Sequence, residues 1–229
     1  MIIGGWQKLS LIDFPKKLAA VLFTQGCSFR CSFCHNKNLV IPEYFQKPIP
    51  LQEIFNFLEK RKHQLQGVVV SGGEPLIHKD IIGFIQSIKD MGYAVKLDTS
   101  GIFPEKLEEL LEKKLLDYVA MDIKAPLEKY AQITIVNVDT QKIQKSITLI
   151  MDKCPDYEFR TTIVPSLHTK EDILAITSMI KGAKKYILQN FSSNSVLDDS
   201  LLSVKSFSPA AMRNMKKMIE KQGLPCLVR

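Results

Sequence analysis

The sequence has no long apolar run: LAAVLF at residues 18–23 falls far short of the roughly 20 apolar residues that a membrane-spanning helix needs. Its first residues, MIIGGWQKLSLIDFP, lack a basic segment followed by a long apolar one, so no secretion leader is read there. The expectation is a soluble, cytoplasmic protein with no membrane partner. It also lacks an arginine-rich or aromatic-interleaved tract. The 31 lysines and arginines exceed the 24 acidic residues by seven, but many lysines sit beside glutamates, as in EKLEELLEKK. That pattern reads as a solvated basic surface; direct nucleic-acid binding is not expected, and docking of an acidic electron donor stays open. Cysteine is scarce and unevenly placed. There are five, three of them within residues 27–34, which does not resemble a secreted disulfide framework. Cys154 and Cys226 stand alone and read as small buried hydrophobes.

With 45% hydrophobic residues and neither linker nor low-complexity tract, the 229 residues are expected to form a single domain around one core. Short β-branched apolar runs at 18–24, 67–72, 94–100, 118–124, 157–164 and 185–191 read as strands, several of them covered on both faces. Between them, 50–62, 79–92, 104–116, 139–153 and 169–182 repeat apolar positions three or four apart, as amphipathic helices do. Pro104 followed by acidic residues suits a helix start. This alternation predicts an α/β fold with a parallel sheet and right-handed crossovers. A full eight-stranded barrel takes about 250 residues, so the expectation is an incomplete (β/α)6 barrel. Residues 1–17 are read as a packed extension, 18–191 as the partial barrel, and 192–229 as a loop with a last helix near 208–222.

In such folds chemistry gathers in loops after the carboxyl ends of the strands. The unusual residues fall there in register: the cysteines after the first run, SGGEP after the second, then DTSG, MDIK, VPS and LQNF. Cys27, Cys31 and Cys34 are spaced C-x3-C-x2-C, close enough to surround one metal centre. A tetrahedral zinc needs a fourth ligand, and the only adjacent one, His35, directly follows Cys34, which is awkward geometry. An iron–sulfur cluster accounts better for three, since three thiolates on four irons leave one iron open. Gly72 and Gly73 let backbone approach a ligand, and the Glu74 carboxylate is suited to an ammonium group. Asp98 and Asp122 end neighbouring strands, with Lys124 close by. Two carboxylates so placed need a cation or a lysine nearby to stay ionised, and a bound monovalent or divalent cation near them is one reading.

C-x3-C-x2-C followed by GGE resembles the radical S-adenosylmethionine (radical SAM) superfamily. CHN after the third cysteine, with DTSG and MDIK, is similar to its glycyl-radical-enzyme activating branch, and residues 4–36 resemble the anaerobic ribonucleoside-triphosphate reductase activating proteins. The resemblance implies one [4Fe–4S] cluster on Cys27, Cys31 and Cys34, with S-adenosylmethionine on the open iron. It places Phe33 near the adenine and Gly72, Gly73 and Glu74 at the methionyl ammonium. Asp98, Thr99, Ser100 and Asp122 would lie about the cofactor and the cation, with Lys124 and Arg160 at its carboxylate end. A flavodoxin or ferredoxin would supply the electron, and a glycine of the reductase would be the target. Two departures stand out. Related activases have a histidine at the end of strand six where LQNF offers Gln189 or Asn190, and the common DFPGK reads DFPKK, with Lys16 in place of glycine. A radical SAM enzyme acting on a small molecule, like the 7-carboxy-7-deazaguanine synthases, is the alternative; a non-catalytic metal-binding module is a more distant one.

Overall fold

A computed structural model describes residues 1–229. The six apolar runs form six adjacent parallel strands: β2 (Ala19–Thr24), β3 (Gly67–Gly72), β4 (Ala94–Thr99), β5 (Tyr118–Asp122), β6 (Tyr157–Ile163) and β7 (Tyr186–Asn190). They are apolar because they are covered on both sides: Val68, Val69 and Val70 of β3 are all fully buried.

Two strands were not foreseen. The amino-terminal segment is no mere extension: β1 (Ile3–Ser10) pairs antiparallel with β2, and its Trp6 lies edge-on to Phe57, 5.0 Å between ring centres. At the far end β8 (Cys226–Val228) adds to β7 in parallel. Both escaped detection for local reasons. β1 carries two glycines and exposed Gln7 and Lys8, which blur its alternation, and β8 is only three residues long. The strands lie in chain order, and β1 and β8 are the unpaired edges, so the sheet is open.

The helices are α1 (Lys37–Val40), α2 (Leu51–Lys60), α3 (Ile81–Asp90), α4 (Pro104–Glu112), α5 (Tyr130–Thr134), α6 (Thr140–Lys153), α7 (Lys170–Met179) and α8 (Pro209–Glu220). Their starts follow local chemistry. Pro104 opens α4, the Asp139 side chain caps α6 at the Gln141 N–H, and Thr169 with Asp172 forms a capping box on α7. The apolar stripe of each long helix lies on the sheet, and one core cluster of 52 buried residues joins them. A smaller cluster of Phe14, Ala19, Val21, Val69, Tyr118 and Ala120 occupies the other face, towards the amino ends of the strands. Phe14 is its plug: a Cβ on Gly67 would stand 2.8 Å from the Phe14 ring, so the glycine makes room for it. That packing closes one end and leaves the carboxyl ends of the strands for the site.

Candidate active site

The cysteine loop leaves β2 and is pinned from several sides before α1 begins. The Gly26 N–H donates to the Leu39 carbonyl, the Arg30 N–H to Thr134, and the Arg30 guanidinium to the carbonyls of Cys27 and Phe29. The glycine pair after β3 permits the closest approach. A Cβ on Gly73 would fall 2.0 Å from the Gly26 oxygen, and Gly72 has a φ of 120° that L residues rarely adopt. With those positions bare, the N–H groups of Gly73 and Glu74 donate to Thr24 and Gly26, holding the two loops in register.

One cavity of about 250 Å³ lies between them. Its lining includes Cys27, Cys31, Cys34 and Phe33 on one loop, Gly72 and Gly73 on the next, and Asp98, Thr99, Ser100, Asp122, Lys124 and Arg160 at the ends of β4 to β6. Twelve of the thirteen residues singled out from the sequence thus surround one space. Glu74 does not. It is fully buried behind the cavity, accepting hydrogen bonds from the Leu76 N–H (3.1 Å), the Thr99 hydroxyl (2.8 Å), and the N–H and hydroxyl of Ser100 (2.7 and 2.5 Å). The expectation that its carboxylate meets an ammonium group is therefore corrected: Glu74 fastens the end of β4 to the turn after β3, and the glycine backbone faces the cavity. Burial pushes its carboxyl up against the opposing pull of these donors.

The two aspartates are balanced by side chains. Asp98 accepts from Lys96 at 2.7 Å, Ser71 at 3.1 Å and Arg160 at 3.3 Å; Asp122 accepts from Arg160 at 2.7 Å and Lys124 at 2.9 Å. Burial pushes both carboxyls up, and the cations outweigh it, holding them below the usual carboxylate range. Three cations face two anions, so a bound metal cation is not needed to keep the pair ionised. Lys96 is the member that sequence reading missed. The signal was there: it is two residues before Asp98 in an otherwise apolar run, hence on the same face of the strand. Thr162, two residues after Arg160, lines the cavity by the same rule.

LQNF divides its labour. Gln189 lines the cavity, whereas the Asn190 amide donates to the Phe207 carbonyl and accepts from the Phe207 N–H, closing the loop that follows β7.

All five cysteines are free thiols, and Cys154 and Cys226 are buried away from the cavity, as expected. No three Cys, His, Asp or Glu side chains close on a single point, the arrangement that one zinc ion takes. A four-iron cube asks instead for thiolates on three different irons, standing around a space. Three thiols lining one cavity suit that group. Burial pushes Cys27 up to about 12 and Cys31 to about 11, with the Lys124 ammonium acting downward on both, so loading the site must displace protons.

Comparison with known proteins agrees with this geometry. The sequence profile described as Radical SAM superfamily matches residues 21–180. A Methanocaldococcus jannaschii protein named as a candidate glycyl-radical enzyme activating enzyme is 34% identical over 225 residues, spanning 96% of this chain and 92% of its own. The pyruvate formate-lyase-activating enzyme of Clostridium pasteurianum is 28% identical over 193 residues, 80% of this chain and 77% of that one. Among solved structures, a domain of a pyruvate-formate lyase-activating enzyme from Bacteroides vulgatus superposes with a TM-score of 0.58 at 16% identity, covering 71% of this chain and 98% of that one; it speaks for the fold alone. With the profile running from β2 through α7 and one relative aligned along nearly its whole length, the chain belongs to the radical SAM superfamily, in its glycyl-radical enzyme activating branch.

Proposed function

We propose that this protein activates a glycyl radical enzyme, taking the α-hydrogen from one of the partner's glycines, and that the partner is an anaerobic ribonucleoside-triphosphate reductase. In this reading Cys27, Cys31 and Cys34 hold one [4Fe–4S] cluster, and S-adenosylmethionine lies between them and the ends of β4 to β6. When bound, the cluster, reduced by one electron from a flavodoxin or ferredoxin, supplies reductive cleavage of S-adenosylmethionine and hence a hydrogen-abstracting radical.

The chain's own residues bind and orient. Gly72 and Gly73 line the cavity and offer backbone to the methionyl end, their missing side chains making room for Thr24 and Gly26 of the neighbouring loop. Lys124 and Arg160 give that end a positive face for a carboxylate, already fixed by Asp122 and Asp98. Buried Phe33 supplies an apolar wall for an adenine ring. The sheet does not close between β1 and β8, and in this reading an extended segment of a partner protein enters from that side.

The observation that carries the reading is the juxtaposition, across one cavity, of three thiols with the Asp98–Arg160–Asp122–Lys124 array. Its support beyond the cavity is the Methanocaldococcus jannaschii relative. The choice of the reductase as partner rests on the likeness of residues 4–36 to that group of activating proteins.

The test is to incubate the reconstituted, reduced protein with S-adenosylmethionine and candidate partners, and to record electron paramagnetic resonance spectra. A glycyl doublet on the ribonucleotide reductase is expected. A doublet only on another glycyl radical enzyme would move the assignment to that partner. S-adenosylmethionine cleavage with no protein-borne spin in any pairing would overturn activation in favour of a small-molecule substrate.

A further inference from the structure

Lys124 reaches the cavity with its ammonium, yet its place is set by its backbone. Its N–H donates to the Tyr130 hydroxyl at 3.1 Å, and its carbonyl lies 2.9 Å from Nε2 of His168. His168, in the segment between β6 and α7, is buried; Nδ1 on the other side of its ring accepts from the Val164 N–H at 3.0 Å. A backbone N–H can only donate, so Nδ1 carries no proton, and a carbonyl can only accept, so Nε2 carries one. The two contacts together allow a single state, the neutral imidazole protonated on Nε2. Burial acts in the same direction, holding the group below its ordinary value, with Asp172 acting upward and Lys129 downward. The same ring meets Phe33 edge-on, 6.2 Å between centres, so one side chain touches both the cysteine loop and the peptide of Lys124.

We infer that His168 is a positioning residue for the cavity: its Nε2–H holds the Lys124 peptide, and through it the ammonium that faces the carboxylate end of the bound cofactor. Val164 and His168 belong to one local turn, closed in addition by the His168 N–H on the Val164 carbonyl. The bond to Lys124 is the one that reaches across, from the β6 end to the β5 end. It joins the Thr161 hydroxyl on the Ile123 carbonyl and the Ile123 N–H on the Arg160 carbonyl, so the two residues after Asp122, Ile123 and Lys124, are held by Arg160, Thr161 and His168. Removing the imidazole contact leaves the half-buried Lys124 carbonyl without this partner and frees the peptide that carries Lys124. The consequence for cofactor affinity rests on the function proposed above; the consequence for the Lys124 peptide does not.

Two substitutions separate the two bonds. His168→Gln places an amide N–H₂ where Nε2 was, keeping the donor to Lys124 and giving up the acceptor for Val164. His168→Asn does the reverse, keeping an acceptor near Nδ1 and giving up the reach to Lys124. The expected result is that His168→Asn speeds hydrogen exchange at the Lys124 amide and weakens S-adenosylmethionine binding to the reconstituted protein by about tenfold, as loss of one buried hydrogen bond does. His168→Gln should stay within about threefold of the parent, and iron content should be unchanged in both. The opposite order, or equal losses, would make His168 a merely local strut and overturn the inference. Nitrogen-15 spectra of the parent imidazole give an arm that no misfolded variant can obscure: a proton on Nδ1 also overturns it. If the parent binds no S-adenosylmethionine at all, the proposed function falls, while amide exchange and the tautomer still decide the role of His168.

Discussion

Arg160 stands between Asp98 and Asp122, with Nε 2.7 Å from Asp122 and Nη1 3.3 Å from Asp98. One guanidinium therefore ties the ends of β4, β5 and β6 together at the mouth of the cavity. Its planar fork makes this possible, since it presents donors in two directions at once, which an ammonium group cannot do with fixed geometry. All three side chains are largely withdrawn from solvent, so the arrangement is costly to break from one side only.

The first prediction concerns that asymmetry. Arg160→Met keeps much of the volume but leaves Asp98 to Lys96 and Asp122 to Lys124, with the two carboxylates facing each other unscreened. The loss of stability should be about 3 kcal/mol, the range for removing one partner of a buried pair. Denaturant unfolding of the apo protein measures it, and a loss below about 1 kcal/mol would show that the pairs behave like exposed ones.

The same cluster fixes a pH response. Asp98 and Asp122 have folded-state pKa values held below their unfolded ones, so between the two values the unfolded chain binds more protons. Their contribution is then fully present above the unfolded value of about 3.9 and is lost as pH falls from there through the folded values. Midpoints of urea unfolding taken from pH 6 down to pH 3 should decline in the parent, steepening below about 4. In Arg160→Met the part of that slope owed to these aspartates should flatten, because the cation that depresses both is gone.

Much of this was legible in the sequence because it repeats: apolar runs alternate with helical stripes, and each polar cluster falls at a strand end. What was not legible needed the third dimension. Strand alternation puts Lys96 of AVKLDTS on the face of Asp98, but only the folded chain shows that the two side chains meet, at 2.7 Å. Glu74 carries the motif's only charge, and no spacing rule says which side of the turn a carboxylate will face; Thr99 and Ser100, 25 and 26 residues on, decide it. Asn190 and Gln189 are neighbours of like chemistry, and only alternation across β7 sends one to the cavity and the other to Phe207.

Glu74 supplies the next test. Glu74→Gln replaces one oxygen with an NH₂ group that faces a backbone donor in either orientation, the Leu76 N–H or the Ser100 N–H, so at least one buried hydrogen bond turns into a repulsive contact. A loss of about 2 kcal/mol in stability is expected. If Glu74 instead met a ligand's ammonium directly, the variant would keep its stability and lose only ligand affinity, and thermal unfolding compared with binding tells the two apart.

For the thiols, Cys31→Ala should abolish reconstitution of the iron–sulfur cluster while the fold survives, since Cys31 loses one sulfur from a loop pinned by the Arg30, Gly26 and Gly73 contacts. Cys154→Ala, at a buried thiol outside the cavity, should leave iron and sulfide content at the parent value. Anaerobic iron and sulfide analysis with visible absorbance measures both, and retention of a full complement in Cys31→Ala would remove that residue from the ligand set.

Lys16, finally, stands where the local backbone asks for glycine. Phe14, Pro15, Lys16 and Lys17 form a turn closed by the Lys17 N–H on the Phe14 carbonyl at 3.1 Å, and Lys16 has a φ of 62°. Proline second and positive φ third is the pattern of a type II turn, in which the third residue is left-handed and glycine is favoured. An L side chain there costs roughly 1–2 kcal/mol, whereas glycine gives back roughly 0.5–1 kcal/mol through the greater freedom of the unfolded chain. The turn is retained with lysine because it delivers Phe14 to the Gly67 and Tyr118 packing at the closed end of the sheet, where the ring is buried. Lys16→Gly should therefore raise stability by about 0.5–1 kcal/mol, a shift of roughly 1–4 °C for a chain of this size, and leave the cavity untouched. Lys16→Ala should change little, and Lys16→Val, β-branched at positive φ, should lower the melting temperature. A glycine variant no more stable than the parent would mean that the strain at Lys16 is already relieved by contacts of the lysine stem.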